Sequence, residues 1–119
     1  MYSAELLDHF EHPRNPGALD SPHASAQVQN PVCGDVLKLS ARLKDNQISE
    51  IKFLAKGCVP AMACASAVTE LVKGKTLAEA ARVTPEELVR MVGGLPEASA
   101  HASHLVLEAL AVLVKQLEK

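Results

Sequence analysis

Two cysteines, an aspartate and a histidine are the residues of this chain whose types could do chemistry together. Cys33-Gly34-Asp35 closes an irregular stretch that contains Pro22 and Pro31, Gly57-Cys58 follows a strand-like run, and His101 opens the last helical segment. Thiolate, carboxylate and imidazole form a ligand set suited to zinc or iron. Two other chemistries compete for the same residues. A disulfide framework fits poorly, because three cysteines is an odd count. A cysteine nucleophile assisted by histidine could be drawn from Cys58 and His101, but no backbone motif supports an oxyanion hole. A metal ion or a metal–sulfur cluster, held in loops over a small core, is the reading that uses all four.

The elements that must position these residues can be read from periodicity. Residues 35–44 alternate, with Leu37, Leu39, Ala41 and Leu43 on one side and Lys38, Ser40 and Arg42 on the other, which predicts a half-buried strand. Asp45-Asn46 is a hairpin turn signal. Residues 48–56 predict the returning strand, with Ile51, Phe53 and Ala55 inward. Cys33 precedes the first of these strands and Cys58 follows the second. An antiparallel hairpin brings those two ends together, so a separation of 25 positions in the chain can close to a few ångströms in space. Asp35, two residues after Cys33 on an extended chain, faces the same way. It is either an oxygen ligand or an ordinary turn aspartate. His101 is either an exposed helix-start residue or a ligand, since neutral imidazole binds metals.

Around this hairpin the pattern is helical. Residues 3–11 predict a short helix capped by Ser3, with Leu6, Leu7 and Phe10 on one face. Pro13, Asn15, Pro16 and Gly17 stop it, and a weakly patterned arm follows over 18–34, with a short edge strand near Ala26–Gln29. Pro60 suits the first turn of a helix over 60–73. Thr76 and Thr84 are N-caps, the second strengthened by Glu87 in a capping box and by Pro85. The last helix spans about 100–116, with Val106, Leu110, Leu113 and Leu117 in one stripe. The fold class is α+β: a small antiparallel three-stranded sheet covered on one face by helices, with an N-terminal helix and a long C-terminal one. Cys64 falls inside a helix among apolar residues and reads as a small core side chain. His9, His12 and His23 show no partner pattern, and His104, one turn after His101, reads as a surface residue or one that supports the ligands from behind.

The chain has 119 residues, which predicts one domain spanning 1–119 with one core. Tyr2, Phe10 and Phe53 are its aromatic residues and it has no Trp, so a base-stacking surface is not expected. Twelve basic against fourteen acidic residues give a net charge of -2 without a basic cluster, which argues against a nucleic-acid partner. No apolar run reaches the roughly 20 residues that span a bilayer, and Glu5 and Asp8 interrupt any signal-like segment. The expected location is the cytoplasm, where thiols stay reduced.

With these residues in view, the chain resembles the scaffold proteins of iron–sulfur cluster assembly, the IscU family and the N-terminal domain of NifU. The matching stretches are Tyr2–Asn15 (YSAELLDHFEHPRN), Cys33–Leu39 (CGDVLKL), Gly57–Lys75 (GCVPAMACASAVTELVKGK) and His101-Ala102-Ser103, in the right order and spacing. The resemblance implies that Cys33, Asp35, Cys58 and His101 hold a transient [2Fe-2S] cluster, or zinc or iron. It also implies a cysteine desulfurase and a frataxin-like iron donor as suppliers, apo iron–sulfur proteins as recipients, and a carrier rather than an enzyme. The family has a third cysteine directly after the histidine; here that position is Ala102. A cysteine placed at 102 is expected to lie close enough to the other ligands to hand sulfur on. The family's chaperone-binding stretch Leu-Pro-Pro-Val-Lys is here Leu95-Pro96-Glu97-Ala98-Ser99, which argues against delivery by an Hsp70-type chaperone. Both departures also suit a second reading, a paralogue that keeps the metal site but binds a partner or regulates assembly.

Overall fold

The computed structural model describes residues 2–30 and 34–118. Helix α1 (Ala4–Glu11) starts at Ser3, whose hydroxyl accepts the Leu6 N–H at 3.0 Å and satisfies one of the helix's orphan donors. Strands β1 (Ala24–Asn30), β2 (Asp35–Lys44) and β3 (Gln47–Lys56) form one antiparallel sheet in the order β1-β2-β3. The β2–β3 turn is Asp45-Asn46, and both residues adopt positive φ (55° and 64°). Paired left-handed residues give the turn twist that matches right-handed strands, and Asp and Asn tolerate that conformation. The edge strand is longer than the sequence suggested. Ala24 and Ala26 point inward between outward Ser25 and Gln27, an alternation that small residues make faint.

One sheet face is spent on the core. Leu37, Leu39 and Ala41 from β2 and Ile48, Ile51 and Phe53 from β3 are buried there. A register shift between Arg42 and Leu43 adjusts the far end of the hairpin, leaving Leu43 half-buried. Helix α2 (Val59–Val72) carries Ala61, Ala63, Cys64, Ala65, Ala67 and Val68, all buried. Small side chains nearly all round let it lie in the centre, against α1, β3 and the last helix. Helices α3 (Leu77–Ala81) and α4 (Pro85–Met91) each begin with a complete capping box, Thr76 with Glu79 and Thr84 with Glu87.

A 3₁₀ turn (Glu97–Ser99) leads into α5 (His101–Leu117), which lies against β1, β2 and α2. The segment Glu97–Leu117 is 21 residues long with mean hydropathy 1.2, enough by length and composition to cross a membrane. Its apolar stripe is already occupied: Val106, Ala109, Leu110 and Leu113 are at most 3% exposed, packed in the core. Each such leucine or valine stabilises the fold by about 1.5–3 kcal/mol relative to exposure, and that is the physical reason the helix is long and apolar.

One face of α1 departs from the sequence reading. Leu6 is fully buried, but Leu7 is 39% exposed and His9 takes the inner position. Position 9 follows Leu6 by three residues and so shares its side of the helix. A polar ring is tolerated there because Ser66 on α2 meets it, with His9 Nδ1 2.9 Å from Ser66 Oγ. The same hydroxyl accepts the Arg14 N–H at 2.8 Å, and Thr69 Oγ1 donates to the Arg14 carbonyl at 3.2 Å. This network fastens the segment after α1 onto α2.

Burial lowers the His9 pKa from its ordinary value of 6.5, and the Arg14 guanidinium adds to the effect, while Glu70 and Asp8 oppose it. A histidine depressed in the folded state takes up a proton more readily once unfolded. The stability it gives is therefore whole above pH 6.5 and is lost as pH falls from 6.5 down through the folded pKa. The melting temperature should fall by a few degrees between about pH 7 and pH 5, with a visibly shallower slope in His9→Gln. Equal slopes in the two proteins would assign the acid sensitivity to other groups.

Candidate metal centre

The β2–β3 register decides where the site lies. Val36 pairs with Lys56, so Asp35 at the start of β2 stands beside Gly57-Cys58 as the chain leaves β3. Asp35 is a carboxylate only 2% exposed. It accepts the Cys58 N–H on Oδ1 at 3.1 Å, and its Oδ2 lies 3.6 Å from Cys58 Sγ. The missing side chain of Gly57 makes this possible. A Cβ there would sit 2.1 Å from Asp35 Oδ1 and 2.7 Å from the carboxyl carbon. The glycine is the space into which the carboxylate fits.

Cys58 is the N-cap residue of α2, with extended backbone (φ -73°, ψ 161°) and no side-chain capping bond. Its sulfur is therefore not committed to the helix end. Burial raises the thiol's pKa most, the Ala61 amide opposes it, and the Asp35 carboxylate raises it further, so the net shift is upward. In the metal-free protein the sulfur thus holds its proton. A cation reverses that balance, because a coordinating thiol gives up its proton on binding.

His101, the first residue of α5, completes the group from the helical layer. Its Nε2 lies 3.8 Å from Asp35 Oδ2. That is too long for a hydrogen bond, and among the described residues the buried Nε2 has no hydrogen-bond partner. Buried polar atoms are almost always paired, so an orphaned imidazole nitrogen marks a place where something binds. One ligand atom from each of Asp35, Cys58 and His101 lies within 4.8 Å of the others. Bonds of about 2.0–2.3 Å to one tetrahedral ion place its donors about 3.3–3.8 Å apart. The observed 3.6 Å and 3.8 Å separations are close to that spacing. The donor set, one sulfur, one nitrogen and one oxygen, could hold a divalent transition-metal ion.

The sequence matches the model of the NifU-like N terminal domain family over residues 1–119. The chain belongs to this family. Among its NifU- and IscU-type relatives, the iron-sulfur cluster assembly scaffold protein IscU 1 of Archaeoglobus fulgidus is 43% identical over 92% of this chain and 72% of its own length. The IscU scaffold protein of Aquifex aeolicus is 36% identical over 96% of this chain and 74% of its own. A NifU-like N-terminal structure from Brucella abortus superposes with a TM-score of 0.82 at 18% identity, covering 98% of this chain and 93% of that one. The three-stranded sheet with its covering helices is thus the NifU-type fold.

Three of the four residues singled out in the sequence, Asp35, Cys58 and His101, are brought together in this NifU-type chain. Cys33 lies outside the described residues. Cys64, read as a core residue, is fully buried, and burial together with the nearby Cys58 pushes its thiol pKa up to about 12. It is an inert packing group. The role of Gly57 was missed: the sequence shows only that it ends a strand. A glycine directly before a candidate ligand and across the hairpin from an acidic residue is the signal that pointed to it.

Proposed function

We propose that residues 1–119 act as a single scaffold domain for iron–sulfur cluster assembly, holding a [2Fe-2S] cluster or its iron or zinc precursor and releasing it to apo-proteins. The observation that carries this is the buried His101 Nε2, unpartnered among the described residues and facing Asp35 and Cys58. Membership of the NifU-like family and relatives named as assembly scaffolds support it. Cys33 joins Asp35, Cys58 and His101 as the fourth ligand. Two thiolates are few for a cluster site, and a low thiolate count suits a cargo that must leave. The protein is a carrier that works in the reducing cytoplasm with a cysteine desulfurase, an iron donor and apo iron–sulfur recipients. Anaerobic incubation with ferrous iron, cysteine, a desulfurase and dithiothreitol as the reductant of the persulfide sulfur should give the visible absorption of a [2Fe-2S] cluster that an apo-ferredoxin then removes. Iron bound without that absorption would favour the regulatory, metal-holding paralogue.

Sulfur must arrive without the family's third cysteine. Ala102 is fully buried within the core, and this changes the expectation for a thiol at that position. A cysteine there would be screened from an incoming desulfurase and would crowd a packed core, at a cost of about 1–3 kcal/mol. Cys58 is the accessible alternative. Its thiol gives up its proton to solvent, the sulfur attacks the outer sulfur of the desulfurase persulfide, the S–S bond breaks, and the desulfurase leaves as a thiolate. Mass spectrometry should find the added sulfur on Cys58 in the wild type, with no gain in Ala102→Cys. Persulfide on residue 102 of the variant, with faster cluster formation, would contradict this path.

A further inference from the structure

A cavity of about 400 Å³ opens beside the centre, lined by Gln29 and Asn30 of β1 and by His101, His104, Leu105 and Glu108 of α5. His101 belongs to the centre, and Asn30 is the register partner of Asp35, so this cavity is the centre's mouth on the α5 side. No lysine or arginine lines it. His104 and Glu108 are exposed, and no hydrogen bond or ion pair engages either side chain among the described residues. Four residues apart on a helix, their Cβ atoms are about 5–6 Å from each other, within chelating reach of an imidazole and a carboxylate. An ordinary helical ion pair would use the same spacing, but here the two groups are not in contact. Steps of three and four residues put His101, His104 and Glu108 in one stripe along α5, about 10 Å long at 1.5 Å per residue.

We infer that His104 and Glu108 form a low-affinity receiving station for a divalent metal ion, ferrous iron or zinc, which then passes to His101 and the centre. This rests on the scaffold reading and names its route of metal entry. Two protein donors on an exposed helix leave most of the coordination shell to water, so binding is weak and exchange fast. The centre offers more donors, among them thiolate, which holds zinc and iron more firmly. The ion therefore moves down a gradient of ligand number and softness. Only ligands are exchanged; the metal keeps its charge, and the Cys58 proton leaves to solvent.

Cobalt(II) is the probe, because thiolate-to-cobalt charge transfer reports arrival at the centre while water-rich octahedral cobalt lacks it. In stopped flow with limiting cobalt, His104→Ala/Glu108→Gln should reach the wild-type charge-transfer amplitude at a rate lower by about tenfold, the size of effect expected when local ion capture is lost. In a background with Cys33, Asp35, Cys58 and His101 all replaced by alanine, cobalt should still bind weakly, without charge transfer, and the added double substitution should abolish that binding. Equal loading rates, or weak binding that survives the double substitution, would overturn the station. No charge-transfer band in the wild type would count against the centre instead. Weak binding that then disappears with His104 and Glu108 would still support the station.

Discussion

Cys58→Ala is expected to leave a folded protein that no longer retains zinc or iron. Structural zinc held by four ligands is worth about 10–16 kcal/mol, so one thiolate contributes on the order of 3 kcal/mol, or about a hundredfold in affinity. Elemental analysis after dialysis should find roughly one metal per chain in wild type and little in the variant. The fold itself should survive. Cys58 makes no side-chain cap for α2, and among the described residues its thiol meets Asp35 Oδ2 and the Ala61 amide. Metal that binds the folded state alone stabilises it. Cys58→Ala should therefore melt where chelator-treated wild type melts, and below the metal-loaded protein. A variant that keeps its metal would remove Cys58 from the ligand set.

Gly57→Ala should weaken metal binding by about 10–100-fold although residue 57 is not a ligand, the usual range for a group that positions one. The new methyl would meet Asp35 Oδ1 at 2.1 Å. The carboxylate must swing away, and it then leaves both the Cys58 N–H and the approach to His101. The proof is a double-mutant cycle: in an Asp35→Ala background the glycine substitution should be nearly silent, because the group it displaces is gone. Calorimetric titration with zinc measures all four proteins. Full additivity of the two losses would show that Gly57 acts through something other than Asp35.

The parts of this protein that were legible in its sequence are those where one period dominates. The β2–β3 hairpin alternates cleanly from Leu37 to Ala41, and its Asp-Asn turn states its own geometry, so the convergence of Asp35 and Cys58 followed from topology. The helix caps at Ser3, Thr76 and Thr84 were equally plain, because each side chain acts within three residues of itself. What stayed hidden depends on contacts across the fold. His9 looks like a surface residue until Ser66, on another helix, supplies its partner. Ala102 stands next to a candidate ligand, yet its methyl belongs to the core. Asp35 reads as an oxygen ligand or a turn aspartate, and only the bare backbone of Gly57 shows how a carboxylate can be buried there. His104 and Glu108 gain meaning only from the cavity they share with His101.

X-ray absorption at the zinc edge of the loaded protein tests the central claim most directly. The account predicts a mixed shell: sulfur near 2.3 Å from Cys58 and Cys33, with nitrogen and oxygen at about 2.0–2.2 Å and the outer-shell scattering of one imidazole, lost in His101→Ala. A shell of oxygen and nitrogen alone, or imidazole scattering unchanged in His101→Ala, would contradict it.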